Sequence, residues 1–219
     1  MQLIIGNKNY SSWSLRPWLV MRHLGLAFEE TRIALHEPGT KALILQHSPS
    51  GRVPVLLDDG LTVWDSLAIC EYLAERNRGA GLWPQDLAVR AQARSFAAEM
   101  HSGFAALRSN MPMDIRAAYP GMGRTPEVIA DIARIMSIFT ECRQRWADVG
   151  PFLFGKFSIA DAMFAPVIFR FATYSVALPE LPAAYLEHML ALPAMQEWAD
   201  GARAEPQRQA ELELSPKQP

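Results

Sequence analysis

The sequence predicts a small α/β domain followed by an all-helical domain. Strand-like and helix-like runs alternate over the first part of the chain, whereas no strand pattern follows the Gly- and Pro-containing stretch 79–84. The chain is long enough for two modest domains, each with its own core. We therefore expect a first domain at residues 1–79, a linker at 80–85 and a helical domain at 86–219.

The first domain is predicted to contain strand, helix, strand, helix, strand, strand and helix in that order. Gly25 ends the first helix, and Asp58, Asp59 and Gly60 give a strong hairpin signal between the last two strands. This is the order of the thioredoxin fold, a mixed sheet in which crossover helices link parallel strands and a hairpin supplies the antiparallel edge. The predicted elements are 3–5, 14–24, 28–35, 41–46, 53–57, 61–64 and 66–76.

The second domain is predicted from apolar residues at helical spacing, separated by Gly and Pro residues that end helices. After Pro206 the chain is polar, and we expect a loose tail there. The predicted helices are 86–110, 125–149, 158–174, 182–191 and 193–204.

Composition excludes several classes of protein. The net charge of -2 comes without long single-sign runs, which gives no footprint for nucleic acid and none for an anionic membrane. The apolar run at the start is too short for a signal peptide or a membrane span, so we expect a cytoplasmic protein. Cys70 and Cys142 form neither a CxxC pair nor a zinc site, which predicts two buried, reduced thiols and no metal.

Three hydroxyls, those of Ser11, Ser12 and Ser14, lie between the first strand and the first helix. Main-chain N–H groups at a helix start have no partner within the helix, and the helix dipole favours negative charge there. The simpler alternative is that Ser12 or Ser14 only caps the helix. Three hydroxyls exceed what one cap needs, so this segment is a candidate anion site. The G-x-S-x-G elbow of a serine hydrolase is absent.

Pro54 follows Val53 just ahead of a predicted strand. Proline suits the first residue of a strand, and a cis bond would turn the main chain of Val53 outward, where it can pair with an extended peptide. The simpler alternative is a trans proline that only begins the strand.

Asp65 and Ser66 precede a predicted helix. We expect Ser66 to be the N-cap, with its hydroxyl and the free N–H groups able to bind a carboxylate, while Asp65 can accept hydrogen bonds from an ammonium group. Together they suit an amino-acid zwitterion, although an N-cap alone is commonplace. A separate S-x-x-D capping box at Ser158 and Asp161 predicts the start of a buried helix and is structural.

Taken together, these segments resemble the soluble glutathione transferase superfamily over nearly the whole chain. Residues 11–16 are similar to the S-S-C-S-W-R motif of the zeta class, and residues 65–69 to its Glu/Gln-Ser-x-Ala-Ile segment. Val53-Pro54 matches the cis-proline position, and the Ser158 box matches that of the helical domain. The resemblance implies a bacterial-like enzyme of the zeta or serine type, a cytosolic homodimer that binds glutathione.

The resemblance also implies a role for each candidate residue. Ser11 would hydrogen-bond the glutathione thiolate, with Ser12 as the alternative and the Trp13 N–H as a second donor. The γ-glutamyl end would lie at Asp65 and Ser66. The cysteine main chain would pair with Val53 in the segment Arg52-Val53-Pro54, and the glycine carboxylate would meet Lys41, His36 or Gln46.

The implied activity is addition of the thiolate to a small electrophile without a general base. The electrophile pocket would lie between the serines and residues 100–107, with Arg170 or Tyr174. Arg170 would attract an acidic substrate if it faces the pocket; the alternative is an ion pair at the surface or the dimer interface.

Two other functions stay open. One is glutathione-dependent cis-trans isomerisation of the maleylacetoacetate type, which Trp13 disfavours because it replaces the cysteine of the zeta motif. The other is a noncatalytic interaction protein of the same fold. A glutaredoxin-like or omega-type oxidoreductase would need a cysteine near residues 11–14, where this chain has none.

Overall fold

The computed structural model describes residues 1–209. In this part of the chain a four-stranded sheet with three helices precedes a bundle of further helices, as the sequence predicts. The first-domain elements are β1 at Gln2–Ile5, α1 at Ser12–His23, β2 at Glu29–Arg32, α2 at Thr40–Leu45, β3 at Val55–Asp58, β4 at Leu61–Trp64 and α3 at Ser66–Arg76.

The sheet has the strand order β2-β1-β3-β4. β1 pairs in parallel with β2 and antiparallel with β3, and β3 forms a hairpin with β4. Asp59 and Gly60 both have positive φ in this hairpin, as a tight turn requires. Within residues 1–209, α1 is the only helix that links two parallel strands. The prediction that more than one helix links parallel strands is therefore wrong. After α2 the chain enters β3 from the opposite end of the sheet, so that β3 runs antiparallel to β1.

The two faces of the sheet pack against different helices because side chains alternate along a strand. Leu3, Ile5 and Leu56 join the main core with residues of α1 and α3. Ile4 and Val55 form a smaller cluster on the other face, which includes Ile44 of α2.

The helical part centres on one buried helix. The Ile159–Thr173 helix, α7, packs against α1 and two helices of its own domain, ring contacts join it to a third, and nearly all its residues are buried. The predicted capping box at Ser158 and Asp161 is present. The helices of this part are α4 at Leu87–Ser102, α5 at Ala105–Asn110, α6 at Pro126–Trp146, α7, α8 at Glu180–Ala191 and α9 at Pro193–Ala204. None of the helices in residues 1–209 is long and apolar enough to cross a membrane.

The single helix predicted over 86–110 is in fact two helices. Gly103 is extended and Phe104 has a φ of 60°, so α4 ends and α5 begins at a sharp turn. Arg108 fastens this turn by donating hydrogen bonds to the carbonyls of Gly103 and Met100. Gly103 is a sequence signal for the end of α4, since a Cβ there would lie 2.7 Å from the Glu99 carbonyl oxygen, and the predicted continuation of the helix through it is wrong. The left-handed conformation of Phe104, which begins α5, has no such signal.

The chain after α9 returns to the first domain. Gln209 is buried, and its side chain donates hydrogen bonds to the Leu35 carbonyl and to the Asn7 side chain. The Gln207 side-chain oxygen accepts from Arg32, and its carbonyl accepts from Arg116. At residues 207 and 209 the structure therefore differs from the expected loose tail. Residues 210–219, the rest of that tail, lie outside the described residues.

Candidate functional site

Two cavities meet at Trp13. The serine cavity, about 700 Å³, is lined by Ser11, Ser12, Lys41, Arg108 and Arg170 among others. The Asp65 cavity, about 600 Å³, has Pro54, Asp65, Ser66 and His101 in its wall. Trp13, Arg52 and Val53 line both cavities. All nine residues chosen from the sequence as the site (Ser11, Ser12, Trp13, Lys41, Arg52, Val53, Pro54, Asp65 and Ser66) are thus brought to these walls.

The serine hydroxyls do not form cap hydrogen bonds at the start of α1. Ser11 occupies the N-cap position without a side-chain cap bond. Its Oγ lies 2.7 Å from the Oγ of Ser14, which accepts the Gly6 N–H at 3.1 Å. The Ser12 hydroxyl has no hydrogen-bond partner among residues 1–209. When Ser14 donates to Ser11, the Ser11 proton is available to a ligand, so both cavity-lining hydroxyls can bind one.

The Val53-Pro54 peptide bond is cis. Neither the N–H nor the carbonyl of Val53 has a hydrogen-bond partner in the described part of the chain. These main-chain groups lie at the wall shared by the two cavities. They can pair with an extended peptide that crosses from one cavity to the other.

Asp65, not Ser66, is the N-cap of α3, which corrects the sequence prediction. Its Oδ1 accepts the N–H groups of Leu67 and Ala68 at 2.9 and 3.2 Å, and its φ is 75°. The carboxylate precedes the helix by one residue and so reaches the free N–H groups that a cap satisfies. The Ser66 hydroxyl oxygen instead accepts a long bond, 3.4 Å, from Arg16, which leaves its proton for a ligand.

His101 adds a group from the helical domain to the Asp65 cavity. Its Nε2 lies 3.2 Å from Oδ2 of Asp65, and its ring meets that of Trp13 edge-on at 5.3 Å. Burial lowers the pKa of His101, and the nearby guanidinium groups act in the same direction, whereas Asp65 raises it. The neutral imidazole therefore donates its Nε2–H to Asp65, and Oδ2 remains able to accept from a second donor.

Two buried arginines, Arg16 and Arg170, and the half-buried Arg108 surround Trp13 and the serine cavity. The Cζ atoms of Arg16 and Arg108 lie 4.3 and 4.7 Å from the Trp13 ring centroid. Arg170, in the cavity wall, donates to the carbonyls of Met111 and Pro166. Burial lowers the pKa of each guanidinium, that of Arg170 to about 9, and the neighbouring arginines lower those of Arg16 and Arg170 further.

The positive charge of this cluster is poorly compensated. Two nitrogens of Arg16 and Nη1 of Arg108 are buried without a hydrogen-bond partner among the described residues. Glu37 is the only carboxylate in the described wall of the serine cavity. A cavity with such walls has a positive potential and favours anions.

Of the other residues that the sequence suggested for the site, two line the serine cavity and two do not. Arg170 faces the cavity, which decides between the two alternatives left open for it, and His36 is also in the wall. Tyr174 is in neither wall; its hydroxyl donates to the Pro112 carbonyl at 3.1 Å. Gln46 is likewise outside both walls.

Sequence reasoning missed Arg16 and Arg108. Arg16 had a detectable signal, since it lies beside Leu15 and Trp18 in an apolar helix pattern where a buried arginine is unusual. Arg108 had no such signal in the sequence, because it lies at the cavity only as a result of the turn at Phe104. Cys70 and Cys142 are buried free thiols, as the sequence predicts. Burial raises the pKa of Cys142 to about 12.

Comparisons with known proteins agree with this architecture. Residues 10–76 match the family "Glutathione S-transferase, N-terminal domain", and residues 126–201 match "Glutathione S-transferase, C-terminal domain". A glutathione transferase homologue from Burkholderia gl BGR1, solved with bound glutathione, is 26% identical with a TM-score of 0.72; the match covers 93% of this chain and 98% of that one. A glutathione transferase from Methylococcus capsulatus is 25% identical with a TM-score of 0.66, over 92% and 98% of the chains.

Fold and site together define a protein of the glutathione transferase fold. The chain belongs to the soluble glutathione transferase superfamily. A curated relative, a probable maleylacetoacetate isomerase from Caenorhabditis elegans, is 24% identical over 175 residues, 78% of each chain. The family and the fold expected from the sequence are thereby confirmed.

Proposed function

We propose that the protein is a glutathione transferase that holds glutathione across both cavities, activates its thiol with a serine hydroxyl and adds it to a small electrophile. One observation carries the proposal: the groups that glutathione requires line two cavities that meet at Trp13. These are a carboxylate site, an ammonium partner, an unpaired main-chain segment and hydroxyls at a helix start.

Glutathione would lie with its γ-glutamyl end in the Asp65 cavity. The Ser66 hydroxyl donates to the α-carboxylate, and Oδ2 of Asp65 accepts from the ammonium group beside His101. The main chain of Val53 pairs with the cysteine of the tripeptide. The glycine carboxylate then reaches the far wall of the serine cavity, where Lys41 is the cation of α2.

The thiolate would form beside the serines. Lowering a thiol pKa by about two units from about 8.5 requires about 2.7 kcal/mol. One hydrogen bond to a charged group contributes about 1.5–3 kcal/mol and a helix start about 0.3–1 kcal/mol. Ser11 is the assigned donor, Ser12 the alternative, and the Trp13 N–H a second donor. The positive potential of the arginine cluster acts in the same direction, so no general base is needed.

The electrophile would carry a carboxylate. Arg170 faces the serine cavity, and Arg108 beside it has a buried nitrogen without a partner among residues 1–209. For an α,β-unsaturated acid, the thiolate sulfur forms the C–S bond at the β-carbon and the α-carbon takes a proton from solvent. The arginines would hold the carboxylate and leave the β-carbon near the sulfur.

A second candidate is the cis-trans isomerisation of an unsaturated acid. It is supported by the likeness to the probable maleylacetoacetate isomerase of Caenorhabditis elegans and by the same arginines. In this reaction the thiolate adds and leaves again, so glutathione is not consumed. Trp13 at the position of the zeta-class cysteine favours the transferase.

The mechanism is tested by ultraviolet titration of the thiolate in glutathione bound to the wild type and to Ser11→Ala and Ser12→Ala. We expect the thiol pKa to rise in Ser11→Ala and turnover near neutral pH to fall roughly 10- to 150-fold, because a hydrogen bond to the anion is lost. Ser95→Ala, on the exposed side of α4, is the control. A raised pKa in Ser12→Ala alone would move the role to Ser12, and unchanged titrations in both would end the serine mechanism.

The substrate class is tested with an unsaturated acid and its methyl ester. We expect the rate ratio of acid to ester to fall about tenfold in Arg170→Met, with Arg124→Met as the surface control. Equal wild-type rates for acid and ester would contradict a carboxylate site. Isomerised acid with no loss of glutathione would favour the second candidate. Failure to bind immobilised glutathione would favour a noncatalytic protein.

A further inference from the structure

The chain after α9 is hydrogen-bonded along the loop that leads into the serines. Glu205 is only 7% exposed, and its two carboxylate oxygens accept the N–H groups of Lys8 at 2.7 Å and Asn9 at 3.3 Å. Arg32 lies 3.2 Å from the same carboxylate. Hydrogen bonds from main-chain N–H groups to a buried carboxylate are among the stronger ones in proteins.

Arg116 fastens the same two segments to each other. Its guanidinium donates to the carbonyls of Glu205 and Gln207, both at 2.7 Å, and to the Tyr10 hydroxyl at 2.9 Å. The N–H of Gln209 also donates to that hydroxyl. Residues 8–10, in the loop before α1, are therefore held by residues 205–209, which follow them in the chain by almost 200 positions.

We call the contacts of Glu205 and Arg116 with residues 8–10 the clamp. The clamp is one turn away from the Ser11 hydroxyl. The N–H groups of Tyr10 and Ser11 both donate to the Asn7 carbonyl, at 3.2 and 2.8 Å, so residues 7–11 form a tight turn. A shift of the Lys8 and Asn9 peptide groups moves that turn and the Ser11 side chain with it. A misplacement of about 1 Å at a reacting group is enough to cost a large part of the rate.

We infer that Glu205 is a positioning residue for the serine loop: by holding the main chain of Lys8 and Asn9 it places the Ser11 hydroxyl against the glutathione thiolate. The inference rests on the proposed function, which supplies the thiolate. Glu205, at the end of α9, would thus contribute to thiol activation although it is far from the serines along the chain.

The test is Glu205→Gln. An amide has one acceptor oxygen and places an NH₂ group against the second N–H, so one of the two bonds is lost. We expect the pKa of the bound thiol to rise by about one unit and kcat below that pKa to fall about tenfold. The dissociation constant of S-methylglutathione, which has no thiol to ionise, should change less than threefold. Hydrogen exchange at the Lys8 and Asn9 amides should become faster.

Two further variants keep the test decisive. Glu205→Asp retains the charge but shortens the side chain, and should raise the thiol pKa in the same direction even if Glu205→Gln does not fold. Glu197→Gln removes another acid that links α9 to the first domain, an exposed pair with Arg22 at 2.7 Å, and should leave the titration unchanged.

The outcomes separate the two proposals. A wild-type thiol with an unshifted pKa would overturn the proposed function and the catalytic part of this inference. A shifted wild-type pKa that stays unchanged in both Glu205 variants would overturn the inference alone. Unchanged amide exchange at Lys8 and Asn9 would overturn the clamp itself.

Discussion

At the scale of residues, Asp65 and Ser66 divide two tasks that the sequence assigns to one side chain. Asp65 caps α3 with one oxygen and meets His101 with the other. Ser66 is buried at the first residue of the helix and faces the cavity. Its hydroxyl can therefore be removed without removing the cap, which separates binding from stability.

Ser66→Ala should weaken glutathione binding at least about tenfold, because a hydrogen bond to the carboxylate is lost, while the free energy of unfolding falls by less than about 1 kcal/mol, because only the long bond from Arg16 is lost in the free protein. Asp65→Ala should in addition lower the free energy of unfolding by about 1 kcal/mol through loss of the cap. Calorimetry of binding and denaturant unfolding give the two quantities. Unchanged affinity in Ser66→Ala would place the γ-glutamyl end elsewhere.

At the scale of elements, the start of α7 depends on Asp161. This buried carboxylate accepts hydrogen bonds from the Ser158 N–H and hydroxyl, from the Leu153 N–H and from the Tyr185 hydroxyl, all within 3.0 Å. It thus joins α7, α8 and the segment before α7 in one network. Such a network is costly to leave half satisfied.

Asp161→Ala should lower the free energy of unfolding by about 3 kcal/mol or more, because several buried donors lose their acceptor. Ser158→Ala should cost about 1 kcal/mol, the usual value of a cap. Thr125→Ala, which removes the cap of α6, is the matched comparison. Denaturant unfolding measures all three, and equal losses in Asp161→Ala and Ser158→Ala would show that the network adds nothing to the cap.

Most elements follow from local sequence. Residues 61–64 and 66–76 are predicted to the residue as β4 and α3, because a hairpin turn, a cap and apolar spacing all act locally. The break at Phe104 is not predictable in this way, since Arg108 stabilises it from the next helix. The same holds for the site: the motifs on loops can be recognised from the sequence, whereas His101 reaches the Asp65 cavity, and Glu205 reaches the loop before the serines, only through tertiary packing.

At the scale of the whole molecule, the edge strand β4 carries Leu61 and Trp64, 47% and 44% exposed, and Leu87 of α4 is 73% exposed. Apolar side chains left on an edge strand and a helix start are suited to an interface. We expect a homodimer with each first domain packed on the partner's helical domain. Light scattering at micromolar concentration should give twice the 24.5 kDa mass of the chain, and a monomer would contradict it.

Stability should depend on pH through three histidines. Burial lowers the pKa of His23, His101 and His188, so the folded state binds their protons less tightly than the unfolded state does. As pH falls below about 6.5, the unfolded chain takes up more protons and the free energy of unfolding decreases. Denaturant unfolding at several pH values measures this. His23→Gln should flatten the dependence, and an unchanged dependence in that variant would contradict the role of His23.

The contact of Trp13 with both cavities makes this indole an optical reporter. Its ring centroid lies within 5 Å of the Cζ atoms of two guanidinium groups and beside an imidazole, and Trp13 lines both cavities. Occupation of either cavity changes the field and the solvent around one chromophore. Emission from Trp13, isolated by subtracting the spectrum of Trp13→Phe, would therefore report the binding of any ligand that enters either cavity.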